Sequence, residues 1–92
     1  MSDRRARIEA LLQASLHPVE LVVTDDSAAH AGHAGAAGGA GHYSVRIVSD
    51  RFAGLPVRER HRLVYQAVAS LMPAEIHALS IVAQAPESAS VS

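Results

Sequence analysis

The chain has 92 residues, 49% of them hydrophobic, and a formal net charge of -1, so it is one small domain near the size at which a single core folds unaided, with little room for an interdomain cleft. It contains no cysteine, which excludes disulfides and thiolate metal sites and leaves histidine, or a partner's sulfur, for any soft ligation. Aromatic residues make up only 3%, too few for a base-stacking platform, and the charge balance gives no general attraction to polyanions, so nucleic-acid binding would need a local patch.

The N-terminal "MSDRRARIEALLQ" mixes charges with apolar residues and has no unbroken apolar run, so neither a signal peptide nor a membrane span is expected and a cytoplasmic protein follows. From Asp3 to Leu16, Ile8, Leu11, Leu12 and Leu16 recur at helical spacing, which predicts an amphipathic first helix ended by Pro18. "VELVVTDD" is β-branched, with Val19, Leu21 and Val23 sharing parity, and reads as a strand. "HAGHAGAAGGAGHY", His30 to Tyr43, is a loop of Ala and Gly carrying three histidines, either solvated filler or ligands on an arm. "HYSVRIVSD" then alternates Tyr43, Val45 and Ile47 against His42, Ser44 and Arg46, a second strand that makes the loop a long hairpin connection.

In "DRFAGLPVRERHRLVYQAVASLM", Asp50 can cap a single helical turn stopped by Gly54, and Pro56 suits the first turn of a longer helix. Val57, Val64, Val68 and Leu71 gather on one arc of that helix, opposite Arg58, Arg62 and Gln66, and Met72-Pro73 breaks it. "IHALSIVA" reads as a third strand with His77, Leu79 and Ile81 on one face. The predicted fold is α/β (α+β): helix, strand, strand, short helix, helix, strand, with helices on one face of a three-stranded mixed sheet whose last strand is parallel to one of the first two. Residues 1–84 form the single domain, and 85–92 are a frayed, disordered tail.

Three groups of residues carry candidate chemistry. His30, His33 and His42 include an H-x-x-H pair, but in a Gly-rich loop no helix fixes the ligand geometry, so metal binding competes with simple solvation. His77 has the plain reading of a partly buried histidine satisfied by a neighbour, and His61 that of a structural residue beside the buried arc. Arg51, Arg58, Arg60 and Arg62 lie in a helix-turn-helix-like segment from which they could reach phosphates, against the reading of a solvated face with Glu59 as internal partner. "GAAG", Gly35 to Gly38, lies between strands and not between helices, so it is no phosphate clamp of the KH type. Neither a nucleophile with a base, nor paired catalytic carboxylates, nor a phosphate loop with Lys is found, and an enzyme is not expected.

"VSDRFAGLPVRERHRLVYQAVASLM" followed by "IHALSI" resembles the R-F-x-G, R-H-R-x-V-Y and H-A-L motifs of the BolA family. "VVTDDSAAH" and "GHYSVRIVSD" are similar to the strands flanking that family's hairpin loop, and the resemblance runs from about Arg7 to Val82. It implies a fold like a class II KH domain and a non-enzymatic adaptor that partners a monothiol glutaredoxin. The partners would share a [2Fe-2S] cluster, completed by glutathione, in iron–sulfur handling or iron sensing. The family's ligand histidine falls on His77 and its loop ligand on His30, with His33 or His42 as substitutes. Alone, the chain would hold no cofactor and be a monomer or weak homodimer. The resemblance also implies an alternative, a DNA-binding transcription regulator of morphology and stress genes acting through Arg58 and Arg62, with Arg51 and Arg60 in support.

Overall fold

A computed structural model of the chain describes residues 4–26 and 41–86. The elements run α1 (Arg4–Leu16), β1 (Glu20–Asp25), β2 (Gly41–Val48), a 3-10 turn (Asp50–Phe52), α2 (Val57–Ala67), a second 3-10 turn (Ala69–Leu71) and β3 (Ile76–Gln84). The three strands form one sheet in the order β1-β2-β3. β1 pairs with β2 antiparallel, and β3 pairs with β2 parallel. This is the mixed α+β sheet expected from the element order, because a helix between two strands returns the chain to the same end of the sheet.

Burial follows the two periodicities of the sequence. Ile8, Leu12 and Leu16 turn α1 inward, and Tyr43, Val45 and Ile47 do the same for alternate positions of β2. They meet Val23, Phe52, Val64, Val68, Leu71, Ile76, Leu79 and Ala85 in a single core. Two residues expected inside are outside: Val19 is 67% exposed and Val57 62% exposed. Val19 precedes the first paired residue of β1, and Val57 opens α2, where the helix has not yet closed on the sheet. α2 also stops at Ala67, before Met72-Pro73, and the chain continues as a 3-10 turn that still turns Leu71 inward. Ala85, one residue past the expected domain boundary, is 3% exposed and belongs to the core, while residues 87–92 lie outside the described residues.

The joint between α1 and the end of β2 is made by Ser49, which caps the first 3-10 turn in place of the expected Asp50. Its hydroxyl donates to the carbonyl of Leu16 at 2.6 Å and accepts from the amide of Arg51 at 3.1 Å. Arg51 donates to the Ser15 carbonyl at 3.1 Å. Two open carbonyls at the C-terminus of α1 are thus satisfied from another element. Gly54 closes the turn at φ 77°, the left-handed region in which a Cβ is strained, as the turn reading anticipated.

Candidate functional site

All the packing helices lie against one face of the sheet, so alternate residues of each strand are left on the other. There Val22 and Val82 are 48% and 51% exposed. With Thr24, Ser44, Arg46 and Ser80 they line a shallow depression of about 340 Å³. Glu20 and Arg46 form an ion pair across β1 and β2, and the Ser44 hydroxyl donates to the Asp26 carboxylate.

At one end of this face the parallel β2–β3 ladder is interrupted. Gly41 pairs with Ile76 and His42 with Ala78, so His77 is an extra residue with no partner of its own in β2. This bulge resolves a conflict in the strand. Ile76 is 0% exposed and Leu79 is buried, yet they lie three residues apart, and strict alternation would put one of them outside. The extra residue lets both face the core and places His77 in the open. The expectation that His77 shares a face with Leu79 and is partly buried is therefore corrected: His77 is exposed. Its ring lies against that of half-buried His42, with centroids 5.1 Å apart and planes inclined at 54°.

Of the four histidines named as candidate ligands in the sequence, the structure brings together His42 and His77, while His30 and His33 lie outside the described residues. Among the described residues no group of three or more His, Asp or Glu is arranged to hold a metal ion. The His42–His77 pair thus offers two imidazole nitrogens and needs its remaining ligands from elsewhere.

Just before the bulge, Glu75 ties the start of β3 to α1. Arg7 forms a forked contact with its carboxylate and Arg4 stands 3.6 Å away. The hydrogen bond from Arg7, with the positive charges of Arg7 and Arg4, lowers the Glu75 pKa from its ordinary value. The Glu75 carbonyl accepts from the Gly41 amide at 3.0 Å, so the same residue anchors the ladder two residues before His77.

The arginine group is less available than its spacing suggested. Arg60 donates through Nε to the Leu55 carbonyl at 2.8 Å and through Nη1 to the Ala83 carbonyl at 3.1 Å, and Arg51 is held on Ser15. Arg62 pairs with Glu59 at 2.6 Å. Arg58 is exposed on the first turn of α2. His61 is half-buried in the groove between α2 and β3. Tyr65 donates to the Leu79 carbonyl at 3.2 Å, so Tyr65 and Arg60 together occupy carbonyls on the outer edge of β3.

The family model for BolA-like protein matches residues 12–88. The chain belongs to the BolA family. It is 42% identical over 89 residues to "Protein BOLA1, chloroplastic" of Arabidopsis thaliana, covering 94% of this chain and 56% of that protein, so it spans little more than half of the relative's length. It is 40% identical over 77 residues to "DNA-binding transcriptional regulator BolA" of Escherichia coli strain K12, covering 84% of this chain and 70% of that one. Among solved structures, the BolA domain of SufE1 from Arabidopsis thaliana superposes with a TM-score of 0.83 at 43% identity, covering 96% of this chain and 98% of that one. The helix-on-sheet arrangement is therefore that of the BolA fold. Among the described residues no helix is long and apolar enough to cross a membrane.

Sequence reasoning missed the bulge, the Ser49 joint and the anchoring of Arg60. The bulge had one signal, the apolar pair Ile76 and Leu79 at a spacing that no regular strand buries.

Proposed function

We propose that this BolA-type chain is a non-enzymatic adaptor that pairs with a monothiol glutaredoxin and helps to hold a [2Fe-2S] cluster as shared cargo in iron–sulfur handling or iron sensing. The observation that carries the reading is the contact of His42 with His77, ring centroids 5.1 Å apart, on the sheet face that the described helices leave uncovered. The donor set fits. Imidazole ligation of one iron of a [2Fe-2S] centre is known chemistry, and a chain without cysteine can take part only in that way. The partner's cysteine and a glutathione supply the thiolates, which a reducing compartment such as the cytoplasm keeps available. His77 is the first ligand and His42, already beside it, the second, with His30 and His33 as the loop alternatives. The chain's own part is to present the rings from the β2–β3 ladder, on the sheet face that the described helices leave open to a partner.

Anaerobic cluster reconstitution with a monothiol glutaredoxin and glutathione, followed by visible absorption and circular dichroism, tests this. His77→Ala is expected to alter the spectrum of the mixed complex, and comparison of His42→Ala with His30→Ala identifies the second ligand. A complex that does not form, or one unchanged in every variant, ends the reading.

A second reading is supported by the name of the Escherichia coli relative, a DNA-binding regulator. Exposed Arg58 and Arg62 are its phosphate contacts, because Arg51 and Arg60 are held on backbone carbonyls. Gel shifts at near-physiological salt are then expected to weaken in Arg58→Ala/Arg62→Ala, and equal retardation of variant and wild type would remove that surface from consideration.

A further inference from the structure

We propose that the groove between α2 and the outer edge of β3 takes a short extended segment of a partner protein, an aliphatic side chain flanked by carboxylates. The groove lies toward the opposite end of β3 from His77, so this surface stands or falls apart from the cluster reading.

The backbone of β3 supplies the first argument. Its Gln84 carbonyl accepts from the Ser49 amide at the end of β2, while the carbonyls of Leu79 and Ala83 accept from Tyr65 and Arg60 of α2. Successive residues of a strand turn their backbone groups to opposite sides, so Ile81, two residues from each, faces outward with Leu79 and Ala83. The carbonyls at both ends of this run are stoppered by side chains, whereas among the described residues nothing accepts from the amides of Ile81 and Ala83. A regular strand, which needs donors and acceptors in alternation, cannot add along the whole edge. An edge that mainly donates suits a ligand that mainly accepts.

Charge points the same way. Arg60 is half-buried and places two of its N–H groups on the carbonyls of Leu55 and Ala83, which leaves the rest of its five donors without a described carboxylate. Exposed Arg58 has none either among the described residues, because Glu59, the acidic residue of α2, is taken by Arg62. Carboxylates from outside complement this wall. Between the charges the groove is aliphatic: Val57 and Val82 are 62% and 51% exposed, and with Ile81 they line a depression of about 440 Å³. Valine walls give bases nothing to stack on, so a peptide fits this groove better than a single nucleic-acid strand. From Leu79 to Ala83 the edge runs about 13 Å, at about 3.3 Å per residue, which sets the bound segment at about four or five residues.

A random heptapeptide library displayed on phage is selected against the immobilised full chain, and the recovered peptides are titrated into isotope-labelled protein. The expected sequences carry Val, Ile or Leu flanked by Asp or Glu, and the amide resonances of Ile81 and Ala83 move furthest. Val57→Asp and Val82→Asp, both at exposed positions outside the core, each weaken binding by about tenfold or more, and Arg58→Ala by about threefold. Val22→Asp, on the outer sheet face, leaves binding unchanged. The proposal is overturned if no acidic-aliphatic sequence is enriched, if the resonances that move are those of the outer face or of His42 and His77, or if Val57→Asp and Val82→Asp bind like wild type. A single-stranded oligonucleotide of the same net charge is the competing probe. If it moves Ile81 and Ala83 at lower concentration than the peptide does, the groove belongs to nucleic acid and the proposal fails.

Discussion

On its inner face the sheet presents Val23, Tyr43, Val45, Ile47, Ile76 and Leu79 to the helices, none more than 9% exposed, whereas on its outer face Val22, Arg46, Ser80 and Val82 stand open. The inner set is held by packing and tolerates little change in volume. The outer set is held mainly by the backbone ladder beneath it, so its side chains are free to be chosen for what they meet. His77 lies where the two demands conflict, and the bulge satisfies both.

Changes on the inner side are expected to have the largest effect. Phe52, 0% exposed, is the one phenylalanine of the chain and fixes the short turn between sheet and α2. Phe52→Ala is expected to cost about 3–5 kcal/mol in urea denaturation, a large part of the stability of a domain this small. A loss below about 1 kcal/mol would mean that the core does not close over this turn.

Two deletions in β3 separate the faces more finely. Deleting Ser80 either reverses Ile81 through Gln84, or irons out the bulge and puts Ala78 where Leu79 was buried; each way the core loses apolar volume, at a cost of about 2–5 kcal/mol. Deleting His77 leaves Ile76 opposite Gly41 and Ala78 opposite His42 in a regular ladder, so the inner face is unchanged. That variant is expected to stay folded within about 1 kcal/mol of wild type while losing the paired rings. Amide exchange along β2 and β3 distinguishes the two, and equal damage from both deletions would show that the bulge is not where the register is set.

This contrast also explains what the sequence could and could not tell. The faces of β2 were legible because Tyr43, Val45 and Ile47 alternate with polar residues. The face of His77 was not, because counting odd positions grouped it with Leu79 and Ile81 and left Ile76 outside; an inserted residue changes parity without changing composition. The family motifs identified His77 and the helix-turn-helix-like segment, but motif spacing does not record that Arg60 is spent on the carbonyls of Leu55 and Ala83. Val57 fitted the apolar arc by angle and lies outside because a helix's first turn need not touch the sheet that its middle covers.

Ser49 joins the two sides at smaller cost. Its hydroxyl is fully buried between the Leu16 carbonyl and the Arg51 amide. Ser49→Ala strands both groups and is expected to destabilise by about 1–3 kcal/mol, read as a shift in the urea midpoint at unchanged slope. Ser49→Thr, which keeps the hydroxyl but adds a methyl group to a filled site, separates hydrogen bonding from packing. Recovery of less than half the loss would assign the effect to volume.

The smallest effect concerns the clamp beside the bulge. Because the hydrogen bond from Arg7 is the largest cause of the lowered Glu75 pKa, Arg7→Ala is expected to move the Glu75 titration, followed by carboxyl chemical shift, back toward its ordinary value, with Arg4 retaining part of the depression. The sign for stability follows by linkage: a carboxyl whose folded pKa lies below its unfolded one contributes fully above the unfolded pKa and loses that contribution as pH falls through the folded pKa. The difference in stability between wild type and Arg7→Ala therefore narrows on acidification and is steady from neutral pH upward. The pair is solvent-exposed, so salt screens it and the effect shrinks at high ionic strength. Since the Glu75 carbonyl also anchors Gly41 beside the bulge, a shift of the His42–His77 ring contact in the same variant would connect the clamp to the site, whereas unchanged imidazole resonances would confine Glu75 to holding α1.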